Sequence, residues 1–252
     1  MLKKRLIPMM LLSEGRLIKT INFAGNRDVG DPVQAAKVYS DQNADELVVL
    51  NVSRTNRTIE PIIDILARLS RNCFMPIAVG GGIRSIDDVR ILIRSGADKV
   101  VINSVAYNNP GLLTQVASEF GSQAVVSSID CVENSRGWSC VSNCALRKEE
   151  ISLESHLLEV QSAGAGEILI QSIDRDGAMS GLDVDLLRFV VDKVDMPVIA
   201  ASGVGNYSDL LDGYLIDGVD AIGVASLFHF TDSNPIRAKA MLQNNKIEFK
   251  VI

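Results

Sequence analysis

The stretch Val79-Gly-Gly-Gly-Ile83 ends a short apolar run, and Ala200-Ala-Ser-Gly-Val204 resembles it 121 residues later. A second stretch, Ala44-Asp-Glu-Leu-Val-Val49, has the counterpart Ala165-Gly-Glu-Ile-Leu-Ile170 at the same offset. A period close to half the chain is unlike a solenoid, whose repeats are shorter. The spacing therefore predicts two similar halves that close into one fold.

Short apolar runs alternate with amphipathic segments along all 252 residues. Nearly all the runs are continuous, as strands covered on both faces should be. The segments between them have helical spacing, and Asp31 and Ser85 are suitable N-caps for two of them. Eight such units in about 250 residues predict an α/β protein, a (β/α)8 TIM barrel with a twofold (βα)4 internal repeat, as one domain over residues 1–252. The eight runs are 6–12, 47–52, 77–79, 100–102, 125–129, 168–170, 198–201 and 221–224.

A doubly wound sheet is the competing fold, but it usually has a Gly-rich first turn. The first turn here, 12–16, contains one glycine. One connection, 131–146, has no helical pattern and contains Asn134-Ser-Arg-Gly137 followed by Trp138-Ser-Cys-Val-Ser142. This pattern predicts a small hairpin inserted after the fifth strand.

Composition excludes several classes of protein. Lys plus Arg is 25 and Asp plus Glu is 31, for a net charge of −6, which argues against a nucleic-acid binder. No apolar run approaches the roughly 18 residues of a membrane helix, and the start lacks a signal-peptide pattern, so we expect a cytoplasmic protein. The four cysteines, Cys73, Cys131, Cys140 and Cys144, match no standard zinc spacing. We expect reduced thiols, no metal and no cofactor.

The active site of a barrel lies at the C-terminal ends of its strands. Glycines and hydroxyls there let backbone N–H groups approach an anion. The repeat maps Gly82 onto Gly203 and Ser104 onto Ser226, which predicts two phosphate sites and a substrate phosphorylated at both ends. The alternative is that these glycines only turn the chain. The candidate substrate-binding residues are Gly82, Asn103, Ser104, Asp176, Gly177, Ser202, Gly203, Ala225 and Ser226.

Two residues are candidates for proton transfer and substrate contact. Asp130 ends the fifth strand at this edge and can act as a general acid or base. Lys19 lies in a polar stretch, 13–31, that is long enough to be a mobile lid. The repeat aligns Asp130 with Leu11, which cannot move a proton. His229, between two phenylalanines, is interpreted as a packed structural histidine.

Four charged residues stand at the opposite ends of strands one, two, four and six: Arg5, Glu46, Lys99 and Glu167. Their alternating signs predict a ring of ion pairs across the bottom of the barrel. Such a ring would plug the barrel or gate a small polar molecule, and spacing alone favours the plug.

Over essentially its whole length the chain resembles HisF, the cyclase subunit of imidazole glycerol phosphate synthase. The resemblance is carried by Lys4-Arg-Leu-Ile-Pro8, Gly30-Asp-Pro32, Val79-Gly-Gly-Gly-Ile-Arg-Ser85, Gly96-Ala-Asp-Lys-Val100, Asp174-Arg-Asp-Gly177 and Phe228-His-Phe230. It implies that ammonia from a partner glutaminase (HisH) crosses the barrel and attacks a bisphosphorylated ribulosyl aminoimidazole carboxamide, giving imidazole glycerol phosphate. It also implies that the four charged residues form the ammonia gate, that Asp98 contacts the glutaminase at the N-terminal rim, and that Asp130 and Lys19 serve catalysis.

The chain departs from that family at two acids. Leu11 stands where the family has its second catalytic aspartate, and Asn51 replaces the acid of strand two. General acid–base help is worth about 10²–10⁴-fold in rate, so the loss of one partner should cripple the standard cyclisation. The alternatives are a diverged second copy that supplies ammonia for an amidino sugar of surface polysaccharide, and a non-catalytic ammonia channel.

Overall fold

A computed structural model describes residues 3–249 of the chain. Its strands, in chain order, are β1 (Arg5–Ser13), β2 (Arg16–Ile21), β3 (Ala24–Gly30), β4 (Leu47–Asn51), β5 (Ile77–Gly80), β6 (Lys99–Ile102), β7 (Val125–Asn134), β8 (Gly137–Ser142), β9 (Arg147–Ser152), β10 (Glu167–Ser172), β11 (Val198–Ala201) and β12 (Val219–Val224). Eight of them pair in parallel in the order β1-β4-β5-β6-β7-β10-β11-β12 and return to β1. The predicted closed (β/α)8 barrel is confirmed.

Helices surround the barrel. They are α1 (Pro32–Asp41), α2 (Glu60–Leu69), α3 (Ile86–Arg94), α4 (Gly111–Phe120), α5 (Leu153–Ser162), α6 (Val184–Lys193), α7 (Tyr207–Tyr214), α8 (Ser226–Phe230) and α9 (Pro235–Asn244). The short α8 directly follows the last barrel strand and was not predicted from the sequence. Its five residues are too few to show a helical period.

The N-caps of the helices lie at corresponding positions in the two halves of the internal repeat. Asp31 caps α1, and Ser152 caps α5 121 residues later. Ser85 and Asn206, at the same offset, each form a capping box at the start of α3 and α7. A capping box satisfies two backbone N–H groups that the first helical turn would otherwise leave unpaired. Local hydrogen bonding therefore begins corresponding helices at corresponding places in the two halves.

The core has two layers because side chains alternate along each strand. Ile7, Met9 and Leu11 of β1 pack inside the barrel, in a cluster that also contains Val48, Val101, Val126, Leu169 and Ile199. Leu6, Met10 and Leu12 point outward into the larger cluster beneath the helices. Both faces of the barrel strands are thus covered by apolar side chains, which explains the continuous apolar runs in the sequence.

Two antiparallel additions extend the C-terminal end of the barrel. The stretch 13–31, which the sequence shows to be long enough for a mobile lid, contains the hairpin β2–β3. Leu17 and Ile18 are buried and hold the hairpin against the barrel. The segment 131–146 pairs β7 with β8, and β9, which was not predicted, adds a third strand.

Between residues 3 and 249, no helix is long and apolar enough to cross a membrane. In the same range no three His, Cys, Asp or Glu side chains are grouped closely enough to hold a metal ion. All four cysteines are free thiols.

Candidate active site at the C-terminal end of the barrel

Two cavities open where the barrel strands end. The first cavity, of about 360 Å³, is lined by Gly82, Asn103, Ser104 and Asp130. The second cavity, of about 30 Å³, is lined by the remaining candidate residues: Lys19, Asp176, Gly177, Ser202, Gly203, Ala225 and Ser226. The candidate residues therefore divide between the two cavities. Leu11 and Gln171 line both cavities and mark their boundary.

Asp130 lies at the base of the first cavity and is 4% exposed. Its Oδ2 accepts from Asn103 Nδ2 at 2.8 Å, and its Oδ1 accepts from Gln171 Nε2 at 2.9 Å. Burial raises the pKa of Asp130 to about 7, against the lowering effect of these two hydrogen bonds. A carboxyl with that pKa can give and take a proton at neutral pH.

Asn103 lines the first cavity, where the sequence placed it, and also contacts Asp130. Its amide nitrogen orients Asp130, and its buried Oδ1 has no hydrogen-bond partner among residues 3–249. A buried acceptor without a partner is costly, so this oxygen is available to a donor in the cavity. Asn103 thus links the carboxyl to whatever occupies the first cavity.

Lys19 is buried rather than on a loop. Its Nζ lies 2.6 Å from Asp176 Oδ1 and also donates to the backbone oxygen of Thr20. The Thr20 hydroxyl donates to Asp176 Oδ2 at 2.9 Å, so both oxygens of this carboxylate bind the hairpin. Asp176, predicted to bind substrate, therefore fixes the β2–β3 hairpin over the second cavity. Gly177 permits this contact, since a Cβ there would lie 2.4 Å from the Thr20 oxygen.

Gly82 and Gly203 both have positive φ, +85° and +97°, and both approach backbone closely. A Cβ on Gly82 would lie 2.4 Å from the Thr58 carbonyl carbon, and one on Gly203 would lie 2.1 Å from the Gly181 oxygen. Close packing and φ therefore require glycine at both positions whether or not an anion binds. Their role in phosphate binding stays a prediction.

Ser104 is engaged by the turn between β8 and β9. The backbone N–H of Asn143 donates to Ser104 Oγ at 3.0 Å, and the Asn143 side chain accepts from Arg57 Nη1. Asn143 and the next two residues, Cys144 and Ala145, all have positive φ. Non-glycine residues adopt that conformation only where surrounding contacts hold it. The turn thus covers part of the first cavity.

The second cavity contains an unpaired hydroxyl. Ser202 Oγ is buried without a partner among residues 3–249, and Ser202 has φ of 79°. Ala225 and Ser226 stand beside it, where β12 passes into α8. The structure therefore places these three residues together, as the sequence predicted, in a space that holds no more than a small group.

Leu11 and Asn51 stand where the resemblance to HisF predicts acids. Leu11 is 8% exposed and packs with the barrel interior. Asn51 Nδ2 donates to the backbone oxygens of Asn56 and Thr58, and its Oδ1 accepts from the N–H of Ser53. The Asn51 side chain thus organises the loop after β4 and has no free group for proton transfer.

The four charged residues at the opposite end form a closed ring. Arg5 Nη1 lies 2.8 Å from Glu46 Oε2 and 3.1 Å from Glu167 Oε2. Lys99 Nζ lies 2.9 Å from the same oxygen of Glu46 and 3.0 Å from Glu167 Oε1. Each cation therefore bridges both carboxylates. Glu46 Oε1 is buried without a partner among the described residues.

Asp98 and His229 lie apart from both cavities. Asp98 is exposed at the N-terminal end of the barrel, and its Oδ2 accepts from the N–H of Ile77. His229 is packed, with Nδ1 2.7 Å from the Tyr39 hydroxyl and Nε2 3.2 Å from the Met9 oxygen. Burial lowers its pKa to about 4, so the ring is neutral at pH 7.

Sequence reasoning missed three sets of residues at the first cavity. These are Gln171, the arginines Arg54, Arg57 and Arg84, and the turn 143–145. Gln171 could have been found by parity: Glu167, Leu169 and Gln171 alternate along β10, so all three face the interior. The arginines and the turn gave no comparable signal, because their contacts join segments far apart in the chain.

The barrel and the position of its site agree with the comparison with protein families. The family model described as "Histidine biosynthesis protein" matches residues 5–234. Enzymes of this family are the barrels of the HisA and HisF type, which act as isomerases and cyclases in histidine biosynthesis. The chain belongs to the histidine biosynthesis protein family.

Proposed function

We propose that the chain is a HisF-type synthase subunit of a glutamine amidotransferase pair. A HisH-like glutaminase docks at the N-terminal rim, where Asp98 is exposed, and releases ammonia into the barrel. The ammonia passes the ring of Arg5, Glu46, Lys99 and Glu167 and reaches a phosphorylated acceptor at the two cavities. The glutaminase and the phosphorylated substrate thus bind at opposite ends of the barrel.

The ring is the observation that carries this proposal. Charged residues buried inside a barrel are costly, and apolar replacements of buried ion pairs are often equally stable. Glu46 is 2% exposed and has one oxygen without a partner among residues 3–249, and the barrel interior above the ring is packed with apolar side chains. A hydrogen-bonding ring at the entrance favours a gate for a small polar molecule over a plug.

Asp130 supplies the proton transfer in this reaction. Ammonia that attacks an electrophilic carbon becomes an ammonium group and must lose a proton. Asp130, with pKa of about 7, can accept that proton and return it to a leaving oxygen. Gln171 and Asn103 hold its two oxygens in place.

Two hypotheses differ in the acceptor of the ammonia, which is either the ribulosyl intermediate or another phosphorylated compound. The standard cyclisation of the ribulosyl intermediate uses two carboxylates, and here Leu11 is apolar and Asn51 is held by backbone. These contacts favour a diverged synthase with another phosphorylated acceptor, such as a paralogue that supplies ammonia for an amidino sugar. The same contacts support a second candidate function, a non-catalytic subunit that conducts ammonia to another protein.

An assay with ammonium salt tests the chemistry without the glutaminase. The chain and its Asp130→Asn variant are incubated with the bisphosphorylated ribulosyl aminoimidazole carboxamide and ammonium chloride, and imidazole glycerol phosphate is followed by mass spectrometry. Turnover that depends on Asp130 supports the histidine-pathway synthase. Background turnover together with activation of a HisH-like glutaminase supports the diverged synthase or the conduit. Background turnover without activation contradicts the proposal.

A further inference from the structure

Three arginines line the first cavity and have no part in the proposed ammonia chemistry. Arg54 and Arg57 lie in the segment between β4 and α2, and Arg84 follows β5. The 121-residue offset places Ala178 and Gly205 opposite Arg57 and Arg84, and Arg175 opposite Arg54. Arg175 does not line the second cavity, so the cavity-lining arginines are concentrated at the first cavity.

Backbone oxygens and the Asn143 side-chain oxygen, rather than carboxylates, hold these guanidinium groups. Arg84 Nη2 donates to the Arg57 oxygen at 3.1 Å, and Arg57 Nε donates to the Arg54 oxygen at 3.3 Å. Arg54 Nη2 donates to the Phe23 oxygen at 3.0 Å. None of the three joins an ion pair within residues 3–249. Their positions are thus organised while their charges remain available to a ligand.

The nearby carboxylates do not balance this charge. Glu14 contacts the same segment but accepts from the hydroxyls of Ser53 and Thr55 and does not line the cavity. Asp130 is the one carboxylate among the lining residues, against three guanidinium groups. In the second cavity, by contrast, Lys19 and Asp176 neutralise each other. The two cavities therefore differ in charge as well as in volume.

We propose that the first cavity binds a diphosphate group, with Arg54, Arg57 and Arg84 as ligands beside the phosphate site predicted at Gly82 and Ser104. This inference deepens the proposed function, on which it rests for a phosphorylated substrate. A single phosphate carries at most two negative charges, which leaves one of three guanidinium groups unmatched. One planar guanidinium group can donate to two phosphate oxygens at once. The cavity volume of about 360 Å³ is that of a small-ligand site.

Calorimetric titration of the full chain tests this assignment. The ligands are inorganic pyrophosphate, orthophosphate and a nucleoside diphosphate, the last to show whether the group is bound free or as an ester. We expect pyrophosphate to bind about tenfold more tightly than orthophosphate, since one further charge-assisted contact is worth roughly a factor of ten. Either order of affinity for pyrophosphate and the nucleoside diphosphate supports a diphosphate site.

Four variants identify the ligands. Arg57→Ala and Arg84→Ala should each weaken pyrophosphate about tenfold and orthophosphate less, which removes the preference. Arg57→Lys keeps the charge and should retain part of the preference for pyrophosphate. This result separates a loss of binding from a loss of folding. Arg188→Ala is the matched control, since Arg188 is an exposed arginine of α6.

Two results would overturn the inference. One is equal affinity for pyrophosphate and orthophosphate, and the other is an equal loss in Arg57→Ala and Arg188→Ala, which would indicate only general surface charge. These failures are distinguishable from failure of the proposed function. Ammonium-dependent turnover with no diphosphate preference refutes this inference alone. Diphosphate preference with background turnover and no glutaminase activation refutes the synthase alone.

Discussion

Replacement of Asp130 by asparagine should change how the stability of the barrel depends on pH. The side chain is 4% exposed, and burial raises its pKa from 3.8 to about 7. The substitution preserves size and removes the ionisation. Asn103 can turn its unpartnered Oδ1 toward the new amide, so the hydrogen-bond network can be rebuilt.

The direction of the pH dependence follows from whether Asp130 binds a proton in the folded and in the unfolded state. Between pH 3.8 and about 7 the folded protein keeps the proton on Asp130, while the unfolded chain has lost it. The free energy of unfolding therefore falls as pH rises, by about 1.36 kcal/mol per pH unit for this group. Above pH 7 the loss is complete and amounts to roughly 4 kcal/mol. Asp130→Asn should remove this loss, so the variant is more stable than the parent at pH 8 and similar to it at pH 4.

Urea unfolding followed by Trp138 fluorescence, at intervals from pH 4 to pH 8, measures the difference between parent and variant. Trp138 is the one tryptophan of the chain. Asp185→Asn serves as the matched control, because the Asp185 side chain is 86% exposed. Parallel pH profiles for the parent and Asp130→Asn would refute the argument that burial holds this carboxyl in its protonated form.

Three further changes test the remaining groups. Lys19→Met should lower the free energy of unfolding by about 3–5 kcal/mol, because it leaves Asp176 buried without its ion-pair partner. A double variant, Lys19→Met with Asp176→Leu, should recover most of the lost stability in urea titrations. Glu46→Gln leaves Arg5 and Lys99 facing one carboxylate, and we expect it to reduce glutamine-driven transfer more than ammonium-driven transfer, measured side by side. Leu11→Asp should raise ammonium-dependent cyclisation by up to about 10²-fold if the standard acceptor is used, and unchanged background turnover would count against that acceptor.

The sequence predicted those parts of the fold that depend on local patterns. Capping residues such as Asp31 and Ser85 begin their helices at the expected places, because a cap bonds within its own first turn. The four ring residues could be named because the start of a parallel strand fixes which end of the barrel a side chain occupies. The closed barrel followed from the count of eight units.

Contacts between distant segments could not be predicted in this way. Lys19 and Asp176 are 157 residues apart, and only the docked hairpin brings them together. The place of Asn103 after a strand did not show that its amide donates to Asp130. Asn51 likewise bonds a loop whose course the sequence does not reveal. Each depends on how an irregular segment folds back, and no periodic pattern records that.

Because Leu11 is apolar, Asp130 has no second carboxylate beside it. Asp130 can therefore take both proton-transfer steps, which a pair of carboxylates would divide. Leu11 and Asp130 line the same cavity, and a carboxylate in place of Leu11 would repel Asp130, so the two would titrate as a coupled pair with one pKa raised further. With Leu11 present, a single buried carboxyl titrates near pH 7 and can both accept and return a proton. Such a group suits an attack by ammonia, in which the nucleophile brings the proton that the leaving oxygen needs. On this argument Leu11 does not mark a decayed site. It favours a one-carboxyl amidation over a cyclisation that needs an acid and a base on opposite faces of the substrate.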